Sequence, residues 1–130
     1  MHGFARTLLA VGVFGALVVP AAADDAYKRC IDSSDGTNSA WADCGGAWIA
    51  REDAKLNAAW KRLYAASEPE TKKNLLDEQR AWNAFKEKAC QFYANGDFGR
   101  EGQVLSFPSC RATIIAERTA TLDGYGADRR

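Results

Sequence analysis

Four cysteines restrict the possible folds of this chain more than any other part of its sequence. They are Cys30, Cys44, Cys90 and Cys110. Their number is even, no two of them have C-x-x-C spacing, and the only histidine is His2. Zinc sites are usually built from closely spaced cysteines or from cysteines combined with histidines. In an oxidising compartment this pattern therefore predicts two disulfide bonds rather than a metal site.

The N-terminal residues predict that the chain enters such a compartment. Arg6 provides a short positive region, and an apolar run follows from Leu8 to Val19. Pro20 then breaks the run, and Ala21 to Ala23 supply the small side chains that a signal peptidase requires. The apolar run is shorter than the roughly 20 residues of a membrane-spanning helix. We expect a signal peptide of residues 1–23, cleaved near Ala23, and export of a single domain, residues 24–130, to a bacterial periplasm or beyond.

Removing residues 1–23 changes the charge and the chemistry of the chain. Seventeen basic residues less Arg6 leave sixteen, against seventeen acidic residues, so the net charge becomes −1. Proteins that bind nucleic acid usually carry a concentrated basic patch, and we therefore expect no nucleic-acid partner. We also expect no membrane span after cleavage. No motif indicates a cofactor or a metal.

Hydrophobic periodicity predicts three helices, at about residues 39–66, 69–94 and 106–122. A turn rich in Gly, Ser and Asp precedes the first helix, and the tetrapeptide SEPE separates the first from the second. The residues expected on the inner faces are Ile49, Leu56, Trp60 and Leu63; then Leu75, Trp82, Phe85, Ala89, Phe92 and Tyr93; then Ile114, Ile115, Leu122 and Tyr125. The expected fold is all-α: a small three-helix bundle, antiparallel up-down-up, stapled by two disulfides.

Glycines mark the expected weak points of these helices. Gly45 and Gly46 predict a bend in the first helix, or a later start near Ala47. The Gly-rich linker 95–107 is predicted to be a loop with a short extended piece around Val104. The tail GYGADRR, from Gly124 to the C-terminus, is predicted to fray.

The predicted bundle brings the cysteines to one pole. The first helix starts there, the second ends there and the third starts there, so Cys44, Cys90 and Cys110 gather, and Cys30 can fold back to them. We prefer Cys90–Cys110 with Cys30–Cys44, although the other two pairings also suit this geometry. A disulfide that closes a loop of about 20 residues contributes on the order of 3 kcal/mol.

Arg118 lies in the middle of the inner face of the third helix and needs an acceptor, because an unpaired buried charge costs several kcal/mol. Glu52 and Asp53 on the first helix and Glu78 on the second are the candidates. Gln79 lies near the inner face of the second helix, and Asn57 is one turn beyond Asp53. We predict a structural polar network of Asp53, Asn57, Gln79 and Arg118 that crosses the three helices.

A catalytic interpretation of these residues is poor. No histidine remains as a base for a serine or cysteine nucleophile. A carboxylate pair drawn from Glu52, Asp53 and Glu78 is formally suited to glycoside hydrolysis, but a narrow bundle offers no cleft for a polysaccharide. Within the motif QRAW, Trp82 and Arg80 point ~160° apart on a helix. Trp82 is therefore expected to face inward and Arg80 to remain at the surface, and the chain is predicted not to be an enzyme.

The motifs of this chain resemble those of the lysozyme inhibitor LprI-type domain family, formerly a domain of unknown function. The resemblance rests on the order C…C…DxxLN…QRAW…C…C…R, which covers nearly all of the chain after the signal. The matching residues are Cys30, Cys44, Asp53, Leu56, Asn57, Gln79, Arg80, Ala81, Trp82, Cys90, Cys110 and Arg118. Trp60 and Lys86 depart from the family's frequent Tyr and Arg. The resemblance implies an exported, disulfide-bonded helical domain and a role in blocking lysozyme.

Two functions follow as hypotheses. The first is a periplasmic or secreted inhibitor of a muramidase, which occludes the cleft of that enzyme with a loop held by Cys90 and Cys110. The predicted contact residues of this loop are Asp97, Phe98, Arg100 and Glu101. The alternative is an interaction or scaffold module of the cell envelope that has no effect on lysozyme.

Overall fold

The computed structural model describes residues 24–129, and all regular elements within this range are helical. The predicted signal peptide lies outside the described residues. The elements are α1 (Asp25–Ser33), α2 (Asn38–Ala65), α3 (Pro69–Lys88), α4 (Gln91–Ala94), α5 (Gly99–Glu101), a π-helical turn (Gly102–Ser106) and α6 (Phe107–Asp128). The prediction of an all-α fold with two disulfides is confirmed. The prediction of three helices is wrong, because α1 adds a fourth substantial helix to α2, α3 and α6.

Helix α1 was missed because it has only nine residues, although its apolar residues Tyr27, Cys30 and Ile31 have helical spacing. Its start is fixed by Asp24, whose carboxylate accepts a hydrogen bond of 2.9 Å from the amide of Tyr27. The helix is held against α2 by the Cys30–Cys44 disulfide. The ring of Tyr27 also stacks on Trp48, with 4.6 Å between the centroids. A disulfide bond and an aromatic stack therefore hold α1 on α2, where a longer helix would use an extended apolar face.

Backbone geometry at Cys90 ends α3 earlier than predicted. A single helix reaching Ala94 was expected, but α3 stops at Lys88 and Cys90 adopts a left-handed conformation with φ 70°. The chain changes direction there and forms the separate short helix α4. The second disulfide joins this position to Cys110 at the start of α6. The predicted extended piece around Val104 is also wrong, since that residue lies in the π-helical turn.

Helix α6 continues to Asp128, so the predicted fraying after Leu122 is wrong. The C-terminal end is tied back to the turn between α2 and α3. The guanidinium of Arg129 donates to the hydroxyl of Ser67 at 2.5 Å and to the carbonyl of Ala66. Ser67 is itself buried and donates to the carbonyl of Leu63 at 2.7 Å. These bonds hold the last turn of α6 despite its glycines.

The hydrophobic core lies between α2 and α6, with α3 covering one side. Its buried members are Leu56, Ala59, Leu63, Leu75, Ile115 and Leu122, with Ile49, Trp60 and Trp82 packed around them. Full burial of a residue such as Ile115 or Leu122 contributes roughly 1.5–3 kcal/mol relative to exposure. Tyr125, predicted to face inward, is exposed.

Gly45 permits the close approach of α2 to α6. A Cβ atom at this position would lie 2.7 Å from Cβ of Pro108, closer than side chains pack. Helix α2 runs through Gly45 and Gly46 without interruption, from Asn38 onward. The predicted bend or late start is therefore wrong, and at Gly45 the glycine serves packing rather than flexibility.

An ion pair joins the N-terminus of α1 to α2. The guanidinium of Arg51 donates to both carboxylate oxygens of Asp24, at 2.9 and 3.0 Å. These hydrogen bonds lower the pKa of the Asp24 carboxyl from 3.8 to about 2, because they favour its charged form more than burial disfavours it.

This ion pair predicts a specific acid sensitivity. Asp24 binds protons more readily in the unfolded chain, so its stabilising contribution is complete above its unfolded pKa of 3.8 and is lost as the pH falls through about 2. We expect Asp24→Asn, which retains the capping oxygen, to remove this contribution, so that the stability difference from wild type shrinks between pH 4 and pH 2. Urea unfolding across this range measures it, with Asp25→Asn as the neighbouring control. A constant difference between wild type and Asp24→Asn would contradict the assignment.

Candidate functional site

Arg118 lies at the centre of an internal polar cluster between α6 and α3. The residue is only 6% exposed. Its Nε donates to the side-chain oxygen of Gln79 at 2.9 Å, and its Nη1 pairs with the carboxylate of Glu78. The hydroxyl of Tyr125 donates to the same carboxylate at 3.2 Å. Two consecutive residues of α3 thus supply acceptors for Nε and Nη1, while Nη2 of Arg118 is buried without a hydrogen-bond partner among the described residues.

Trp82 faces the interior beside this cluster. It is partly buried and packs against the hydrophobic core. The guanidinium of Arg118 lies 6.0 Å from its ring centroid, and the ammonium of Lys86 lies 5.5 Å away. Arg80 lies on the exposed face of α3, with a nitrogen 3.7 Å from the carboxylate of Asp77. Ion pairs as exposed as this one contribute little to stability.

Two members of the predicted network lie outside it. Arg118 bonds to α3, and within residues 24–129 neither Asp53 nor Asn57 donates or accepts a side-chain hydrogen bond with it. Asn57 is exposed and Asp53 is half-buried. The inward carboxylate of α2 is instead Glu52, which is buried and bonded to the ammonium of Lys55 at 2.9 Å. The network therefore joins two helices rather than three.

A group of aromatic side chains, two of them exposed and one half-buried, covers the segment that follows α3. We call Phe92, Tyr93 and Phe98 the aromatic cluster. The ring centroids are 4.7 Å apart for Phe92–Phe98, 5.5 Å for Tyr93–Phe98 and 5.2 Å for Phe92–Tyr93. Phe92 is 64% exposed and Phe98 is 43% exposed. Exposed apolar groups that touch one another are a common mark of an interaction surface.

The aromatic residues of this segment do not lie where their spacing predicts. Phe92 and Phe85 were expected to widen the inner face of the second helix, but both are exposed. The left-handed backbone at Cys90 separates α4 from the periodicity of α3, and this turn cannot be read from the spacing of apolar residues. The adjacent aromatic pair Phe92-Tyr93, two positions after Cys90 and shortly before Asn95-Gly96, was the available signal.

The aromatic cluster is held at its base by a covalent bond and a glycine. Cys90 immediately precedes α4 and is bonded to Cys110 in α6. A Cβ atom at Gly102 would lie 2.4 Å from Cβ of Phe98 and 2.7 Å from the carbonyl oxygen of Tyr93. Only glycine therefore lets the π-helical turn approach the cluster this closely.

Arg100, a predicted contact residue, folds back onto the start of α2. Its guanidinium carbon lies 4.1 Å from the ring centroid of Trp41. Its nitrogens donate to the side chain of Asn38 and to the carbonyl of Gly36. The side chain is thus bound on one face by an aromatic ring and at its edge by two acceptors. Arg100 remains exposed, as do the other predicted contact residues, Asp97, Phe98 and Glu101.

Residues 24–129 were also compared with the requirements of a membrane-spanning helix and of a metal site. Its helices include none that combines the length and the apolar character needed to cross a membrane. No three His, Cys, Asp or Glu side chains in this range are grouped to hold a metal ion.

The fold and the candidate site define a class of protein: a small helical domain closed by two disulfides, with Leu56, Trp82 and Arg118 of its motifs turned inward and the rings of Phe92 and Phe98 turned outward. The chain belongs to the family described as Lysozyme inhibitor LprI, whose model matches residues 30–122. Comparisons with curated proteins and with solved structures gave no significant match. The family description is that of an inhibitor and implies a protein partner such as lysozyme. The family and the disulfides fit an extracytoplasmic location.

Proposed function

We propose that this protein is exported after cleavage of residues 1–23 and inhibits a muramidase by occupying the cleft of that enzyme. The observation that carries the proposal is the exposed aromatic cluster, which stands on a segment closed by the Cys90–Cys110 disulfide. Membership of the lysozyme inhibitor family supplies the class of partner. The protein contributes contact and no chemistry of its own, and it needs no cofactor.

The aromatic cluster suits the interior of a sugar-binding cleft. Aromatic side chains combine a large contact area with few rotatable bonds, and they dominate the energetics of many protein interfaces. The rings of Phe92, Tyr93 and Phe98 already touch one another, so that less side-chain freedom is lost on binding. An inhibitor that is ordered before it binds retains more of its contact energy as affinity.

The proposal includes one domain, residues 24–130, in which the three long helices run up-down-up. Side-chain pairs support this order for α3 and α6. The end of α3 is bonded to the start of α6 through Cys90 and Cys110, and Gln79, earlier in α3, meets Arg118, later in α6. Helices α2 and α6 run in the same sense, because Gly45 meets Pro108 near their starts and Arg62 meets Asp123 near their ends.

The direct test is a muramidase assay with the oxidised protein. We expect the rate of cell-wall lysis to fall in a dose-dependent manner and to be restored when the inhibitor is reduced beforehand. A heat-denatured sample of the same protein controls for non-specific effects. Unchanged lysis at a micromolar excess of folded, oxidised protein, against muramidases of different folds, would contradict the proposal. That outcome would favour the alternative, a cell-envelope interaction or scaffold module without effect on lysozyme.

A further inference from the structure

We infer that the aromatic cluster and two carboxylates beside it form a contact surface for a basic protein, and that Arg100 positions this surface without touching the partner. The contact residues are Phe92 and Phe98 at the centre and Asp97 and Glu101 at the rim. This inference rests on the proposed function and names the kind of muramidase that the site would receive.

The segment that carries the aromatic cluster has few charged residues, and most of them are acidic. Residues 91–106 contain a single cation, Arg100, and two acids, Asp97 and Glu101. Arg100 is engaged with Trp41 and with acceptors at the start of α2. Both acids are exposed, and neither forms an ion pair within the described residues. Arg100 is exposed as well, but its guanidinium is held against Trp41, so the charged groups of this segment that are left without a partner are the two carboxylates.

This combination favours one kind of partner. Apolar rings surrounded by polar groups form the usual plan of a protein interface, and the carboxylates add attraction for a basic surface. A second copy of this chain is disfavoured, since a two-fold contact would bring the same carboxylates face to face. An anionic membrane surface would repel them as well. A basic protein whose cleft admits aromatic rings satisfies both parts of the surface.

Arg100 connects the aromatic cluster to the first disulfide. Its acceptors are Gly36, in the turn that joins α1 to α2, and Asn38, the first residue of α2, and the Cys30–Cys44 disulfide closes this part of the chain. The cluster is thus fixed on one side by Cys90–Cys110 and on the other through Arg100. If Arg100 touched a basic partner, its positive charge would oppose binding. If it instead holds the loop in place, it slows dissociation of the complex.

The contact surface is tested by the kinetics of binding to a strongly basic muramidase. We expect Phe92→Ala/Phe98→Ala to weaken binding by about 100-fold or more, mainly through faster dissociation. We expect Asp97→Asn/Glu101→Gln to slow association by about tenfold at low salt and to have little effect at high salt. The control Glu117→Gln/Asp128→Asn removes two exposed acids of α6 and should change neither rate. All of these side chains are exposed, and melting temperatures equal to wild type will verify folding.

The positioning role of Arg100 makes a separate kinetic prediction. Arg100→Ala should raise the dissociation rate by about fivefold without lowering the association rate, since a positive charge has been removed from an acidic surface. In a background of Trp41→Leu the same substitution should add little, because the two residues act together. Slower association in Arg100→Ala, or full additivity with Trp41→Leu, would show that Arg100 meets the partner directly.

The outcomes separate the two proposals. Binding without inhibition would overturn the proposed function and leave the contact surface standing. Inhibition that survives Phe92→Ala/Phe98→Ala, or that responds equally to the Glu117→Gln/Asp128→Asn control, would overturn the contact surface alone. A preference for a near-neutral muramidase over a basic one would overturn the assigned partner chemistry.

Discussion

Replacing Cys90 and Cys110 together with alanine will lower the free energy of unfolding by about 3 kcal/mol and abolish most of the inhibition. The disulfide closes a sequence separation of 20 residues, and removing it restores chain entropy to the unfolded state. It also releases the base of α4, so that the aromatic cluster must be ordered at the moment of binding. Urea unfolding and the inhibition constant measure the two effects.

The pair Cys30→Ala/Cys44→Ala is the matched comparison for this prediction. Its loop is similar in size, with a sequence separation of 14, so the chain-entropy effect is again about 3 kcal/mol. The Cys30–Cys44 disulfide is connected to the aromatic cluster only through Arg100. We therefore expect its removal to weaken inhibition less than removal of Cys90–Cys110, although the two losses of stability are equal. Equal losses of inhibition in the two pairs would contradict a special role of Cys90–Cys110.

The second large effect is expected at Arg118. Arg118→Leu removes the hydrogen bond to Gln79 and the ion pair with Glu78, and it leaves the Gln79 oxygen without its donor in a half-buried place. We expect the free energy of unfolding to fall by about 1.5–3 kcal/mol, as for other charged hydrogen bonds, because the Glu78 carboxylate is 43% exposed and water replaces its lost partner. Denaturant unfolding with an unchanged m-value is the measurement.

Arg80→Leu provides the control, because Arg80 belongs to the same motif region but is exposed. Its substitution should change stability by less than about 0.5 kcal/mol. We also expect Arg118→Leu to inhibit normally at temperatures where it remains folded. A stable Arg118→Leu protein that has lost inhibition would instead place Arg118 at the partner surface.

Much of the helical architecture follows from local signals. The long helices α2, α3 and α6 were predicted because leucine, isoleucine and tryptophan recur along them with helical spacing, as at Leu56 and Leu63. The pairing found in the structure, Cys30–Cys44 with Cys90–Cys110, is the one preferred from the sequence, although the predicted pole suited all three pairings. A disulfide between elements that are neighbours in the chain can be predicted once the ends of the helices are placed correctly.

The internal polar cluster was predictable only in part. A mid-helix arginine among isoleucines indicates a buried guanidinium, and Glu78 was among the proposed acceptors. The choice of Asp53 and Asn57 failed because one residue along a helix rotates a side chain by about 100°. The inner face of α2 is fixed by Glu52 and Leu56, which turns Asn57 to solvent.

The candidate site was less predictable, because it depends on backbone turns and contacts distant in sequence. The left-handed conformation of Cys90 exposes Phe92, and no periodic pattern encodes it. The stacking of Arg100 on Trp41 joins two segments that are far apart in the chain. The segment containing Phe98 was predicted as a contact surface from the sequence and stays a prediction, whereas the stacking that engages Arg100 required the fold.

Competition with a short oligosaccharide tests the central proposal most directly. The apparent Kd of the oxidised protein for a basic muramidase would be measured with and without a cleft-binding saccharide at about ten times the Kd of that saccharide. If the aromatic cluster fills the cleft, the apparent Kd will rise about tenfold. An unchanged apparent Kd would mean that the protein binds elsewhere on the enzyme, and would contradict inhibition by occlusion.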